Sequence, residues 1–226
     1  MQQARTAQVP GKIMELVENG VDFSVWRADS SLSKAAAGQV HFIFLGRLID
    51  LKAVDLLLEA FAAVVSQTDA VLEIIGYGDI RGELEAQTAR LGIDSSVVFS
   101  GWLSHEQCAI KLQQADALVL PSLREGGGTV VMEAMAVGLP VIATNWGGPG
   151  DYLNSSWGIL VEPASKEGFV KGLTDVMRNL TQSPELWQSM GCAGREGVRQ
   201  HFDWERKVER ILEIYQQMII DACPKP

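Results

Sequence analysis

Residues 117–137 read ALVLPSLREGGGTVVMEAMAV. Four apolar residues, Ala117–Leu120, make a short strand with no polar alternation, as expected of a strand covered on both faces. Three glycines, Gly126, Gly127 and Gly128, come after it, and an almost wholly apolar helix begins near Thr129 and runs to Val137. The same unit recurs in both directions. Further apolar strands are read at Val40–Leu45, Val71–Ile75, Val97–Ser100, Val141–Thr144 and Gly158–Val161. Helical patterns fall at Val54–Ser66, Ile80–Leu91 and Ser104–Gln114, the last opening on the capping box Ser104-x-x-Gln107. Repeated strand-then-helix units predict an α/β fold, a Rossmann-like, doubly wound six-stranded parallel sheet with helices on both faces.

The tail departs from this rhythm and reads as all-helical. Ser165–Leu180 comes first; Ser183-Pro184-Glu185 opens a second helix, with Ser as cap and Pro at the first helical position. Asp203 caps a third, running to about Ile220, in which Trp204, Val208, Ile211, Leu212, Tyr215 and Met218 share one stripe. That stripe either packs back on the two preceding helices or reaches a neighbour. At the other end, Ile13–Val17 could form one strand, Asn19-Gly20 is a turn signal, and Ser30–Gly38 is small and polar. The division expected is residues 1–38 as a join, 39–202 as a ligand-binding domain, and 203–226 as a crossing helix and tail.

Composition narrows the function. Nineteen Lys and Arg against 28 Asp and Glu leave a net charge of −9 over 226 residues, which argues against a nucleic-acid-binding surface. Cys108, Cys192 and Cys223 are odd in number and far apart, with no CxxC pair. Mean hydropathy is +0.09, but no apolar run approaches the ~18 residues of a membrane span. Arg5, Lys12, Glu15, Glu18 and Asp22 interrupt the first 26 residues, so no signal peptide and a cytoplasmic location are expected.

The chemistry concentrates where strands end. In open α/β sheets ligands bind at the carboxyl ends of strands. A glycine turn running into a helix N-terminus lets backbone N–H groups approach an anion, and phosphate is the natural guest; a purely steric turn is the competing reading. Glu125 lies in that loop and Glu133 one turn into the helix, four residues after Thr129. A carboxylate beside the first turn can accept two hydrogen bonds from a ribose cis-diol, or Glu133 can simply face solvent. On the ribose reading, Glu133→Gln weakens nucleotide binding with little change in stability. Gly46-Arg47-Leu48 and Lys52 come after the first strand, two cations that suit a diphosphate or lie solvated at the surface. Gly76-Tyr77-Gly78 after the second strand is a further close-approach turn. No GxGxxG stands after a strand, no Walker lysine is present, and no Asp-x-Asp pair offers a metal site. His41, His105 and His201 lack metal-ligand spacing, and a structural role is expected for each.

Taken together, GRLIDLKAVDLLLEAF, Gly76-Tyr77-Gly78, VVFSGWL, PSLREGGGTVVMEAMAVGLPVIATNWGGPGDYL and GILVEP, in this order, resemble the retaining nucleotide-sugar glycosyltransferases of family 4, which have the two-domain GT-B fold. Glu125 and Glu133 match that family's Glu-x7-Glu motif. The resemblance covers roughly residues 16–218 and only the C-terminal, donor-binding half, with Glu18–Asp22 resembling the interdomain join. It implies that Arg47 and Lys52 bind the donor diphosphate, that Glu133 holds the ribose, and that the main chain around Trp102 and Leu103 lies against the base. It implies that Glu125 and the Gly126, Gly127, Gly128, Thr129 and Val130 backbone face the sugar and phosphates. Glu125, Arg47 and Lys52 would be the catalytic set, and Gly46, Gly76 and Gly78 would belong to the donor site. The donor would be a UDP- or GDP-linked sugar, with no metal or other cofactor. The partners implied are an N-terminal acceptor domain or a separate chain, with self-association possible. Two departures stand out: Ala53, where the family usually has Gly, and Gly150-Asp151, where Pro-Glu is common. A non-catalytic nucleotide-sugar-binding module and half of a sugar-nucleotide epimerase are the competing functions.

Overall fold

The computed structural model describes residues 19–29 and 38–222. The strand proposed at Ile13–Val17, all of the Ser30–Gly38 linker but Gly38, and Cys223 lie outside them. Six strands, β1 (Val40–Leu45), β2 (Ala70–Ile75), β3 (Val97–Gly101), β4 (Ala117–Leu120), β5 (Val141–Thr144) and β6 (Gly158–Val161), form one sheet. All pairs are parallel and the order is β3-β2-β1-β4-β5-β6. The strands read from the sequence are all present, with β2 and β3 each one residue longer.

The helices are α1 (Val54–Val65), α2 (Arg81–Leu91), α3 (His105–Gln114), α4 (Thr129–Ala136), α5 (Gly148–Tyr152), α6 (Lys166–Gln182), α7 (Pro184–His201) and α8 (Trp204–Ala222). Single turns of 3-10 helix stand at Asp50–Lys52 and Asp94–Ser96. One layer contains α1 and α2, with α6 returning to pack along α1; in the other, α3 contacts α4 and α4 contacts α7. The sheet is therefore dry on both faces. Phe42, Ile43 and Phe44, successive residues of β1, are all fully buried, and the Phe42 ring meets Phe61 of α1 edge to face at 6.3 Å.

Two of the three caps read from the sequence form, and one does not. Ser104 and Gln107 close their capping box at the start of α3. Asp203 accepts the Glu205 N–H at 2.9 Å. At α7, Pro184 opens the helix, but the Ser183 side chain makes no capping bond. The short helix α5 is not apparent from sequence, because GGPG reads as loop; Pro149 stands in its first turn, where no N–H is needed.

Residues 19–26 join the body of the fold. Val21 is buried and forms a parallel bridge with Asp203, its N–H donating to the Phe202 carbonyl at 2.8 Å. The Asn19 amide donates to the Tyr152 hydroxyl at 2.9 Å and reaches the Gly127 carbonyl at 3.5 Å. At the far end, α8 does not fold back over its apolar stripe: Leu212 is 51 % exposed and Met218 61 %.

Candidate functional site

In this strand order β1 and β4 are neighbours whose connections leave toward opposite halves of the sheet. A crevice opens at such a switch point, beyond the strand ends. Here it is a cleft of about 380 Å³. Its walls come from the loops after β1, β2, β3 and β4 and from the first turns of α3 and α4.

The β1 loop contributes Gly46, Arg47 and Lys52. Arg47 is exposed, and its side chain makes no hydrogen bond or ion pair among the described residues. Lys52 ends the 3-10 turn, and Ala53 comes next in a left-handed conformation, φ 47°. That is the position where glycine is the expected residue, and its backbone accounts for the expectation. The β2 loop lies directly on this one. A Cβ on Gly76 would stand 1.8 Å from the Gly46 carbonyl oxygen, so no other residue allows the two loops to touch. Gly76 lines the cleft with Tyr77; Gly78 sits behind, against the Leu48 carbonyl.

Across the crevice, the β4 loop carries Glu125, whose carboxylate receives an ion-paired hydrogen bond from the Lys52 ammonium. The two side chains are 13 % and 18 % exposed. Gly128, at φ 58°, is the N-cap of α4 and offers no side-chain cap, so the helix tip with Thr129 and Val130 opens on the cleft. Gly126 and Gly127 belong to the same loop but do not line the cavity; Gly127 faces Asn19. The next loop braces this one, since Cβ atoms at Gly147 and Gly148 would lie 1.9 Å and 2.3 Å from the Glu125 and Gly127 carbonyl oxygens.

Glu133 lies inside, one turn along α4, with no hydrogen-bonding or ionic partner among the described residues. Burial alone pushes its carboxyl from 4.5 up to about 7. Glu133 lines the cleft and is only partly exposed. Burial, with help from the Glu133 charge, also pushes the Cys108 thiol up to about 11, so that thiol stays protonated.

The fourth wall is Trp102 and Leu103, between β3 and α3. Trp102 is 69 % exposed and Tyr77 61 %, two aromatic faces held at the mouth. Trp26, His105 and Cys108 also line the cleft, with the Trp26 and His105 rings 5.9 Å apart. Sequence reasoning misses these three, and Tyr77, as part of the site. A signal exists for His105, the first residue after the Ser104 cap. Trp26 gives none, because it comes from the segment before the sheet.

This arrangement has counterparts. Residues 29–196 match the family of glycosyl transferases group 1. The chain is 30 % identical over 222 residues to D-inositol 3-phosphate glycosyltransferase of Rhodococcus erythropolis, covering 92 % of this chain and 49 % of that protein. It is also 30 % identical to N-acetyl-alpha-D-glucosaminyl L-malate synthase of Bacillus anthracis, over 94 % of this chain and 56 % of the relative. The chain thus spans about half the length of these curated relatives. Among solved structures, sucrose-phosphate synthase from Thermosynechococcus elongatus superposes with TM-score 0.82 at 24 % identity, over 97 % of this chain and 56 % of that one. The C-terminal domain of a group 1 glycosyl transferase from Francisella tularensis is covered completely by 82 % of this chain, with TM-score 0.71 at 22 % identity. These likenesses establish the same Rossmann-like layer as in that C-terminal domain. With three quarters of its length in the family match, and an uncapped helix tip facing two cations across the switch point, the chain belongs to the glycosyl transferases group 1.

Proposed function

We propose that the cleft holds a nucleoside-diphosphate sugar, and that the chain is the donor-binding half of a retaining glycosyltransferase of family 4. The observation that carries this reading is the convergence of Arg47, Lys52 and the uncapped tip of α4 on one crevice of an acidic protein. Phosphate there meets a guanidinium fork, an ammonium and the positive end of a helix. Glu133, half-buried beside that tip and unpartnered, is suited to the ribose diol. Trp102 and Leu103 close the end that would take a UDP or GDP base. Glu125 and the tip of α4 at Gly128, Thr129 and Val130 face the remaining space, where the sugar would lie.

In the reaction proposed, the bond from the anomeric carbon to the β-phosphate oxygen breaks. A bond from that carbon to the acceptor oxygen forms on the same face, and the acceptor's proton passes to the departing phosphate oxygen. Charge grows on the diphosphate, so Arg47, Lys52 and the helix tip stabilise the transition state more than the bound donor, the requirement for catalysis. These cations make a divalent ion unnecessary in the reading proposed.

The acceptor would be held by an N-terminal domain or a separate chain. The exposed stripe of α8, with Trp204, Val208, Leu212, Tyr215 and Met218, is the surface proposed to meet it. Epimerase chemistry is disfavoured by the same cation and carboxylate set. A thermal-shift and calorimetric series with UDP, GDP and their sugars, with and without EDTA, tests the reading. Binding that survives EDTA and is weakened in Arg47→Ala is expected. No binding by any nucleoside diphosphate overturns the donor site, and strict dependence on a divalent ion overturns its metal-free form.

A further inference from the structure

A carboxylate lies buried in the sheet beneath the cleft. Glu73, in the middle of the otherwise apolar strand β2, is 4 % exposed. An unpaired charge there would be costly. Instead three elements supply donors: His41 of β1 at 3.2 Å, Lys111 of α3 at 2.9 Å, and the hydroxyl of Ser100 in β3. Burial alone would raise the Glu73 carboxyl, but these partners outweigh it and hold it down to about 2.

Ser100 is not an ordinary strand residue. The β2–β3 pairing runs in step from Leu72↔Val97 to Ile74↔Phe99, then shifts so that Ile75 pairs with Gly101. Ser100 is the extra residue of a bulge. Bulges re-aim the adjoining chain. The next residue here is Gly101 at φ 72°, its carbonyl taken by the Gly76 N–H at 2.8 Å, and Trp102 and Leu103 of the cleft wall come directly after it. Lys111 ties down α3, whose first turns bring His105 and Cys108 to the same wall. The two stretches of chain that build that wall therefore each make a bond to one carboxylate.

We propose that Glu73 is a positioning residue which, through the Ser100 hydroxyl, fixes the bulge and so sets Trp102 and Leu103 to receive the base of the nucleotide. The proposal rests on the reading of the cleft as a nucleoside-diphosphate site. A carboxylate serving only to cross-link the sheet would affect all ligands alike through stability. One that sets the base wall affects only ligands that carry a base.

The test uses the full chain and three variants, Ser100→Ala, Ser100→Thr and Glu73→Gln, titrated with UDP, with GDP and with inorganic pyrophosphate, which has no base. Ser100→Ala is expected to lose about tenfold in affinity for the nucleoside diphosphate that the parent chain binds, the scale of one hydrogen bond to a charged group. Pyrophosphate affinity is expected to change less than about twofold on the same reasoning. Ser100→Thr, which keeps the hydroxyl, is expected to restore binding, and Glu73→Gln, whose amide oxygen accepts more weakly than a carboxylate, to lose affinity in the same direction but by less. Should Glu73→Gln fail to fold, the Ser100 pair carries the test. Equal losses for nucleotide and pyrophosphate, or no loss in Ser100→Ala, overturn the proposal. Amide hydrogen exchange at Gly101–Leu103 provides a readout free of nucleotide. Faster exchange in Ser100→Ala than in the parent or Ser100→Thr is expected, and unchanged exchange overturns the proposal. If the parent chain binds no nucleoside diphosphate, the donor-site reading fails, while the exchange result still decides whether Glu73 sets this wall.

Discussion

Replacing Glu133 by Gln removes a charge with almost no change in shape, and the structure alters what that should do. Burial alone raises the Glu133 carboxyl from 4.5 to about 7. Between those values the folded chain keeps a proton on Glu133 that the unfolded chain has released. Unfolding free energy therefore falls as pH rises through the window, and stays at its lower level above about pH 7. At full weight such a difference is worth about 3 kcal/mol. Residual exposure and water at the open cleft reduce it to roughly 1–2 kcal/mol. Glutamine carries no such cost. Glu133→Gln is thus expected to be more stable than the parent at pH 8 by about 1–2 kcal/mol, a rise of roughly 2–8 °C in melting temperature for a chain of this size. At pH 4, below both values, the two should melt together. The sequence alone suggests little change in stability.

The same substitution is expected to weaken nucleotide binding at pH 8, because an amide accepts fewer and weaker hydrogen bonds from a diol than a carboxylate does. Opposite signs for stability and affinity are the signature of a charge kept for a ligand. Thermal melts from pH 4 to 9, with calorimetric titration of UDP and GDP at pH 8, measure both. Coincident melting curves at every pH would refute the buried-carboxylate argument. A stability gain with unaltered affinity would refute the ribose assignment and leave Glu133 without a role.

Arg47→Ala and Lys52→Ala are each expected to cost about 1.5–3 kcal/mol of nucleotide affinity by calorimetry with EDTA present. Only Lys52→Ala, which leaves Glu125 unpaired, should also lower stability in denaturant melts. Gly148→Ala puts a Cβ 2.3 Å from the Gly127 carbonyl oxygen, backbone against backbone; a destabilisation of about 1–3 kcal/mol in thermal melts is expected, with weaker nucleotide binding. Ala53→Gly relieves a left-handed alanine at φ 47° but gives up a buried methyl and loosens the unfolded chain. The terms nearly cancel, so urea melts should shift by less than about 1 kcal/mol. Light scattering across a concentration series should show self-association that Leu212→Glu with Tyr215→Glu abolishes; a monomer at every concentration would reserve the α8 stripe for a different partner.

How far the sequence reaches depends on how local the cause is. The strands are legible to within a residue because both faces of a parallel sheet are dry. Phe42, Ile43 and Phe44 are buried in succession, so burial leaves a continuous apolar run. Caps are legible where a side chain does the capping, at Ser104 and Asp203, and not at α5, where glycine and proline dominate. The cleft is half legible. Arg47, Lys52, Glu125 and Glu133 lie beyond strand ends, and strand ends of one sheet gather at one edge. Trp26 reaches the cleft from outside the sheet, and no local pattern records that. Glu73 does leave a trace, a lone charge in AVLEII, but its three partners come from three other elements.

The Lys52–Glu125 pair shows why a residue's role depends on its neighbours as well as its type. Read separately, Lys52 is a cation for phosphate and Glu125 a carboxylate facing the sugar. In the structure each neutralises the other across the crevice. The positive potential available to an incoming diphosphate therefore comes first from Arg47 and the tip of α4, while Lys52 is already engaged. A phosphate oxygen drawing on the Lys52 ammonium competes with Glu125. An ammonium has three donors and can serve both, at the cost of weakening each bond. In the reaction proposed, a step that raises the charge on the phosphate would shift Lys52 toward it and leave Glu125 less compensated on the side where the anomeric carbon would gain positive charge. The pair thus couples the two ends of the breaking bond in the mechanism proposed, and the single variants Lys52→Ala and Glu125→Gln should be strongly non-additive in any transfer assay.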